Sequence, residues 1–84
     1  MARLNTSISS ITKIGYGHWK VVVVKRNYNR ECMLNSITEW KYTTTDSMLI
    51  DDYNHGDSNA KVRQAENMLI YMAKKHGSKQ IIKI

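Results

Sequence analysis

Four consecutive valines, Val21 to Val24, stand between Lys20 and Lys25. Branching at Cβ stiffens each side chain and favours the pleated backbone, so His18 to Lys25 is the clearest expected strand. Trp19, Val21 and Val23 fall on one face of it; His18, Lys20, Val22 and Val24 fall on the other. Upstream, the serine- and isoleucine-rich stretch from about Ile8 to Ile14 reads as a further strand. Its alternation is imperfect: Ile8 and Ile14 share a parity and Ile11 does not. Gly15 and Gly17, around Tyr16, mark a turn or bulge between the two strands. Arg26-Asn27-Tyr28-Asn29-Arg30 reads as a hairpin turn, because asparagine tolerates turn conformations and bonds its own backbone. The next strand begins near Glu31 and takes in Cys32, Met33 and Leu34. Ile37 to Thr45 is again strand-like, with Trp40, Tyr42 and Thr44 on one face and Glu39, Lys41 and Thr43 on the other. Asn35-Ser36 is either a bulge in one long strand or a turn between two short ones.

The period then changes. Thr45 or Asp46 suits an N-cap, and a short helix is expected at about 46–53, closed by Asn54-His55-Gly56. Asp57 or Ser58 caps the main helix, from about Asn59 to His76. Val62, Ala65, Leu69, Met72 and Ala73 recur at helical spacing and form its apolar stripe, bordered by Met68. Lys74, Lys75 and His76 suit the negative end of the helix dipole, and Gly77 is placed for a C′ position. Gln80 to Ile84 can form a short last strand. The expected fold is α+β: a small antiparallel sheet of three to four strands, packed by one C-terminal amphipathic helix, plus the short helix at about 46–53. Residues 1–84 form a single domain, with 1–6 as a loose N-terminus.

Length tightens this picture. A chain of 84 residues buries only about 60% of its unfolded surface, so the core is thin. The one cysteine, Cys32, cannot form an internal disulfide and reads as a small buried hydrophobe in a strand. It suits a reducing compartment. No apolar run approaches the roughly 18 residues of a membrane span, and residues 1–10 lack a signal-peptide core, so cytoplasm is the expected location. One helix covers one sheet face, yet the valine run is apolar toward both. Val22 and Val24, with Tyr28 or Tyr42, are therefore candidates to meet a protein partner or a second copy. The alternative is that short apolar side chains simply sit exposed.

The net charge is +6, unevenly spread. Residues 1–30 hold Arg3, Lys13, Lys20, Lys25, Arg26 and Arg30 and no acid. Residues 31–60 hold six acids against Lys41, and residues 61–84 hold six basic residues against Glu66. A positive field favours polyanionic partners. Lys20, Lys25, Arg26 and Arg30 gather on or beside one hairpin, and Lys74, Lys75 and Lys79 gather at the helix end. Such groups neutralise phosphates and release counterions, and the interleaved Tyr16, Trp19 and Tyr28 are of a type that stacks on bases. Trp19, beside Val21 and Val23, fits a core role better. The strand–strand–strand–helix order is broadly like that of a double-stranded-RNA-binding domain. The chain departs from that pattern in lacking an N-terminal helix and in offering only Lys61 and Arg63 at the start of the main helix.

Catalytic chemistry has less support. His18, His55 and His76 share no ligand spacing, and Asp51-Asp52-Tyr53-Asn54-His55 reads as an acidic helix end. Glu39-Trp40-Lys41 has the Glu-x-Lys spacing of metal-dependent nucleases, with Glu31 or Asp46 as a second carboxylate. A surface salt bridge accounts for the same residues. No Gly-x-Ser-x-Gly elbow and no glycine-rich phosphate loop occurs.

Gly15-Tyr16-Gly17-His18-Trp19-Lys20-Val21 and the stretch from Thr43 to Tyr53 (Thr-Thr-Thr-Asp-Ser-Met-Leu-Ile-Asp-Asp-Tyr) cover 18 of the 84 residues. Together they resemble small proteins of Bacteroidetes bacteria and of their phages or mobile elements. There, a Gly-Tyr-Gly-His-aromatic-Lys strand leads through a hairpin to Thr-Thr-Thr and an Ile-Asp segment. This chain carries a longer stretch between the two, around Met33 to Trp40. The resemblance implies a hairpin followed by a capped short helix, and a phage or mobile-element setting. It carries over no activity and no functional residue.

The expected function is thus non-enzymatic binding, without cofactor or metal, to double-stranded nucleic acid through Lys20, Lys25, Arg26, Arg30, Lys74, Lys75 and Lys79. The alternative is a phage or mobile-element protein that inhibits a host protein such as a defence nuclease. It would use the uncovered sheet face at Val22, Val24, Tyr28 and Tyr42, together with the acidic Glu39–Asp57 region as a phosphate mimic. A small metal nuclease stands third. A homodimer through the uncovered sheet face is a further partner option. If the chain is phage-encoded, its location is the bacterial host cytoplasm.

Overall fold

The computed structural model describes residues 6–56 and 59–84. Residues 1–5, expected as a loose end, and the capping candidates Asp57 and Ser58 lie outside the described residues; Thr6, assigned to that end, opens the first strand. The elements run β1 (Thr6–Gly15), β2 (His18–Tyr28), β3 (Leu34–Thr44), α1 (Ser47–His55), α2 (Asn59–His76) and β4 (Ser78–Lys83). The strands form one antiparallel sheet in the order β1-β2-β3-β4, so the fold is α+β as expected.

Turn chemistry positions the strands. Tyr16 and Gly17 join β1 to β2, and Gly17 takes a φ of +64°, which glycine adopts without steric cost. Between β2 and β3, the Asn29 side chain accepts bonds from the amides of Glu31 (2.9 Å) and Met33 (3.0 Å). The Asn29 amide donates to the Met33 carbonyl, and the Cys32 amide donates to the Asn29 carbonyl. Cys32, expected in a strand interior, is exposed in this turn with a φ of +61°. The asparagine side chain draws the chain into a turn over the positions that composition alone assigns to a strand.

Bulges explain the irregular alternation. In β1, Ile8 lies opposite Val23 and Ile11 opposite Val21, although their parities differ. A register shift between Ile8 and Ser10 inserts one residue and brings both isoleucines to the same face. In β3, Ser36 pairs with Asn27 and Leu34 with Tyr28, so Asn35 is the extra residue of a single long strand.

Both helices pack on one face. Val21, Val23 and Trp40 from the sheet meet Ile50 of α1 and Leu69 and Ala73 of α2; Ile8, Ile11, Trp19, Tyr42, Leu49, Tyr53 and Ile70 pack around them. Val21, Val23, Leu69 and Ala73 are fully buried. Removing an aliphatic side chain of valine or leucine size from water contributes about 1.5–3 kcal/mol each. Asp46 is the N-cap of α1, its carboxylate accepting from the Leu49 amide at 3.1 Å. The α2 stripe holds at Ala65, Leu69 and Ala73, with Ile70 an added member and Met68 half-exposed.

Gly77 directly follows α2, in the C′ position expected of it. Its backbone is not left-handed, since among the described glycines only Gly17 has a positive φ. The Gly77 amide donates to the Ala73 carbonyl at 2.8 Å, and α2 passes straight into β4. A Cβ at this position would lie 2.5 Å from the Ala73 carbonyl oxygen and 3.2 Å from that of Lys41. Closeness of backbone to backbone, not a left-handed turn, is what requires glycine here.

Candidate nucleic-acid interface

Helices on one face leave the other without a covering element among the described residues. The register decides which side chains stand on it. Lys20, Val22, Val24 and Arg26 of β2 lie opposite Thr43, Lys41, Glu39 and Ile37 of β3. Ser7, Ser10 and Thr12 flank them on β1, and Ser78, Gln80 and Ile82 flank them on β4. The open face is therefore a row of short apolar groups ringed by hydroxyls, an amide and three cations. Glu39 is the only acid in the four strands, and its carboxylate lies 3.3 Å from the Lys41 ammonium. Asp51, Asp52 and Glu66 are all carried by the helices, on the covered side of the sheet. Lys61, Arg63, Lys74 and Lys75 are carried by the same helices, so both sides of the sheet hold a positive excess.

The expected basic residues do not form one surface. Lys20 and Arg26 share the open face, and an Arg26 guanidinium nitrogen donates to the Ser7 hydroxyl at 3.3 Å. Lys25 points to the covered side, opposite Thr6 and Thr38, and Arg30 lies in the β2–β3 turn. Lys74 and Lys75 end α2, and Lys79 lies opposite Trp40 on the covered side. Their ammonium groups turn to the protein's own rings: Lys74 lies 5.7 Å from the Trp40 ring centre and Lys75 lies 5.6 Å from that of Tyr71. Sequence reasoning did not assign Lys41 to the binding set. Only the β2–β3 register, which sets it against Val22, shows that it shares a face with Lys20.

The aromatic residues also divide. Trp19 packs against the core, as its neighbours imply, whereas Tyr16 is wholly exposed at the β1–β2 tip with Lys13 at 5.8 Å from its ring centre. Tyr42, expected beside Val22 and Val24, lies on the covered face instead. Trp40 pairs with Val23 and Tyr42 with Val21, which puts the Trp40–Tyr42 face under the helix. The Tyr42 hydroxyl donates to the Leu69 carbonyl at 3.0 Å. Burial, with the Asp46 charge adding, pushes its pKa from 10.0 up to about 12. Burial also raises the Tyr53 phenol, with Glu66 adding.

Val22, Val24 and Tyr28 do lie on the open face. Its end near the β2–β3 turn gathers apolar groups: Tyr28 opposite Leu34, Ile37 opposite Ile82, and Ile84, whose amide bonds the Asn35 carbonyl. Tyr28, Leu34, Ile82 and Ile84 are all exposed there.

The nuclease grouping is not assembled. Glu39 and Lys41 are neighbours, but Glu31 precedes β3 and Asp46 follows it, so the strand's length keeps both carboxylates away from Glu39. Asp52, in the acidic stretch, pairs with Lys61 at 3.2 Å. Among the described residues, no group of three or more His, Cys, Asp or Glu side chains is placed to hold a metal ion. No described helix is long and apolar enough to cross a membrane. Comparison with protein-family models, with curated proteins and with solved structures finds no match for this chain.

Proposed function

We propose that this protein is a non-enzymatic binder of double-stranded nucleic acid, held chiefly by contacts to the phosphate backbone. The observation that carries this reading is the open sheet face, where three cations stand with a single acid. The sheet side keeps Lys20, Arg26 and Lys41 against Glu39 alone, while the acids of α1 and α2 lie behind the sheet. Such a surface attracts a polyanion at long range and then exchanges condensed counterions for protein cations. The Ser7, Ser10, Thr12 and Thr43 hydroxyls add neutral donors suited to phosphate oxygens. The test is a titration of labelled DNA and RNA duplexes at several salt concentrations. Binding is expected at low salt, with log K falling linearly against log salt. An absence of any complex at low salt ends the proposal.

A second reading, contact with a protein, rests on the apolar end of the open face at Tyr28, Leu34, Ile82 and Ile84. The partner would be a second copy or a host protein that a phage or mobile-element product inhibits. Sedimentation across a wide concentration range tests the second copy directly: a constant monomer mass removes it.

A further inference from the structure

We infer that the duplex is engaged by the open face of the sheet, through β2 and β3, and not by the basic end of α2. The inference rests on the nucleic-acid reading above and decides between two basic clusters that composition leaves equivalent.

The electrostatics of the two clusters differ. The last turn of α2 carries unpaired carbonyls and the negative end of the helix dipole, which disfavours a phosphate. Lys74, Lys75 and His76 offset that partial charge, and Lys74 and Lys75 also lie over Trp40 and Tyr71. Their charge already has a local role. On the open face, no carboxylate pairs with Lys20 among the described residues, and Arg26 bonds only a neutral hydroxyl. Lys41 has Glu39 beside it, yet its side chain is nearly half exposed. The Glu39 side chain is only 19% exposed, so the ammonium is the accessible member of the pair and the one that can turn to a phosphate.

Shape agrees with charge. Neighbouring strands lie about 4.8 Å apart, so β1 and β4 stand about 14 Å apart, enough to straddle a B-form major groove roughly 12 Å wide with the β2–β3 ribbon over its opening. Lys20 and Lys41 are diagonal neighbours on that ribbon, since Lys20 faces Thr43 and Lys41 faces Val22. The outer strands then lie against the groove walls, where Thr12 of β1 and Ser78 of β4 present hydroxyls toward the phosphates.

The experiment compares two charge-neutralised proteins in the full chain, Lys20→Gln with Lys41→Gln, and Lys74→Gln with Lys75→Gln. The ligand is a blunt DNA duplex about two helical turns long, with an RNA duplex of equal length alongside. The sheet pair is expected to weaken DNA binding by more than about tenfold near 0.1 M salt and to lower the salt slope by about two. The helix pair is expected to stay within about twofold of the parent, as its charges serve the helix end. Acetylation of the unmodified protein gives a second readout: added duplex should slow reaction at Lys20 and Lys41 and not at Lys74 or Lys75. Equal losses from both pairs, loss from the helix pair alone, or protection confined to Lys74 and Lys75 would overturn the inference while leaving the nucleic-acid reading intact. A parent protein that binds neither duplex at low salt removes both.

Discussion

The Tyr42 hydroxyl donates a hydrogen bond to the backbone carbonyl of Leu69, at 3.0 Å, and so ties the third strand to the middle of the long helix. Replacing Tyr42 by Phe keeps the ring and removes that bond, and should lower unfolding free energy by about 1 kcal/mol in urea denaturation.

Burial of the same phenol, with the Asp46 charge adding, sets an alkaline limit. The Tyr42 phenol is raised from 10.0 to about 12, so the folded state holds this proton more tightly than the unfolded chain does. Its contribution is fully present below pH 10.0 and is lost as pH rises through about 12. The stability difference between the parent and Tyr42→Phe should therefore shrink across that window, the lysines being common to both. A difference that stays constant there would refute the coupling. Asp46→Asn, which keeps a side-chain acceptor but removes the charge, should lower the Tyr42 pKa in an ultraviolet titration.

Asp46 also holds the start of α1 through the Leu49 amide. Asp46→Ala should cost about 1 kcal/mol. Amide exchange should quicken first in α1, because the lost cap frees that helix before it frees the sheet.

Cys32 and Gly17 are the described residues with positive φ, and they predict opposite responses. Cys32→Gly should stabilise the protein by about 0.5–1 kcal/mol by relieving left-handed strain in a side-chain-bearing residue. Gly17→Ala meets open space, so its loss of about 1 kcal/mol would come from backbone conformation alone. Thermal melts of both variants check the pair.

Gly77→Ala should be more damaging than Gly17→Ala. The added methyl meets the Ala73 and Lys41 carbonyls, both fixed by the last turn of α2 and the start of the β3–β4 ladder. A cost of about 1–3 kcal/mol follows from overpacking, with β4 losing protection in amide exchange.

Much of this fold is legible in local chemistry. The valine run, the Asp46 cap and the stripe at Ala65, Leu69 and Ala73 are each set by neighbours a few residues away, and each stands where the pattern puts it. What local pattern cannot carry is phase. The bulges at Ser9 and Asn35 slide one strand against its partner by a residue, and a one-residue slip exchanges faces. Tyr42, correctly grouped with Trp40, lies on the covered side because the unbroken β2–β3 register sets it against Val21, a pairing that alternation within one strand does not reveal. Lys41 was hidden by the same uncertainty, since its alliance with Lys20 exists only once the β2–β3 pairing is known. The basic residues were countable from composition, but their division into a helix-end group and a sheet group depends on the register and on the ring contacts of Lys74 and Lys75.

The β1-β2-β3-β4 order leaves two outer strands whose far sides present unpaired backbone groups. Each is guarded differently. β1 is broken by register shifts near Ser9 and Ile14, which spoil the straight template another chain would need. β4 is regular and carries the apolar Ile81 and Ile82, but Lys79 and Lys83 bracket Gln80-Ile81-Ile82. Two copies aligned edge to edge about Ile81 would bring each Lys79 against the other copy's Lys83. The positive charge on this strand therefore acts as a gatekeeper, keeping a sheet with open margins from growing into a fibre.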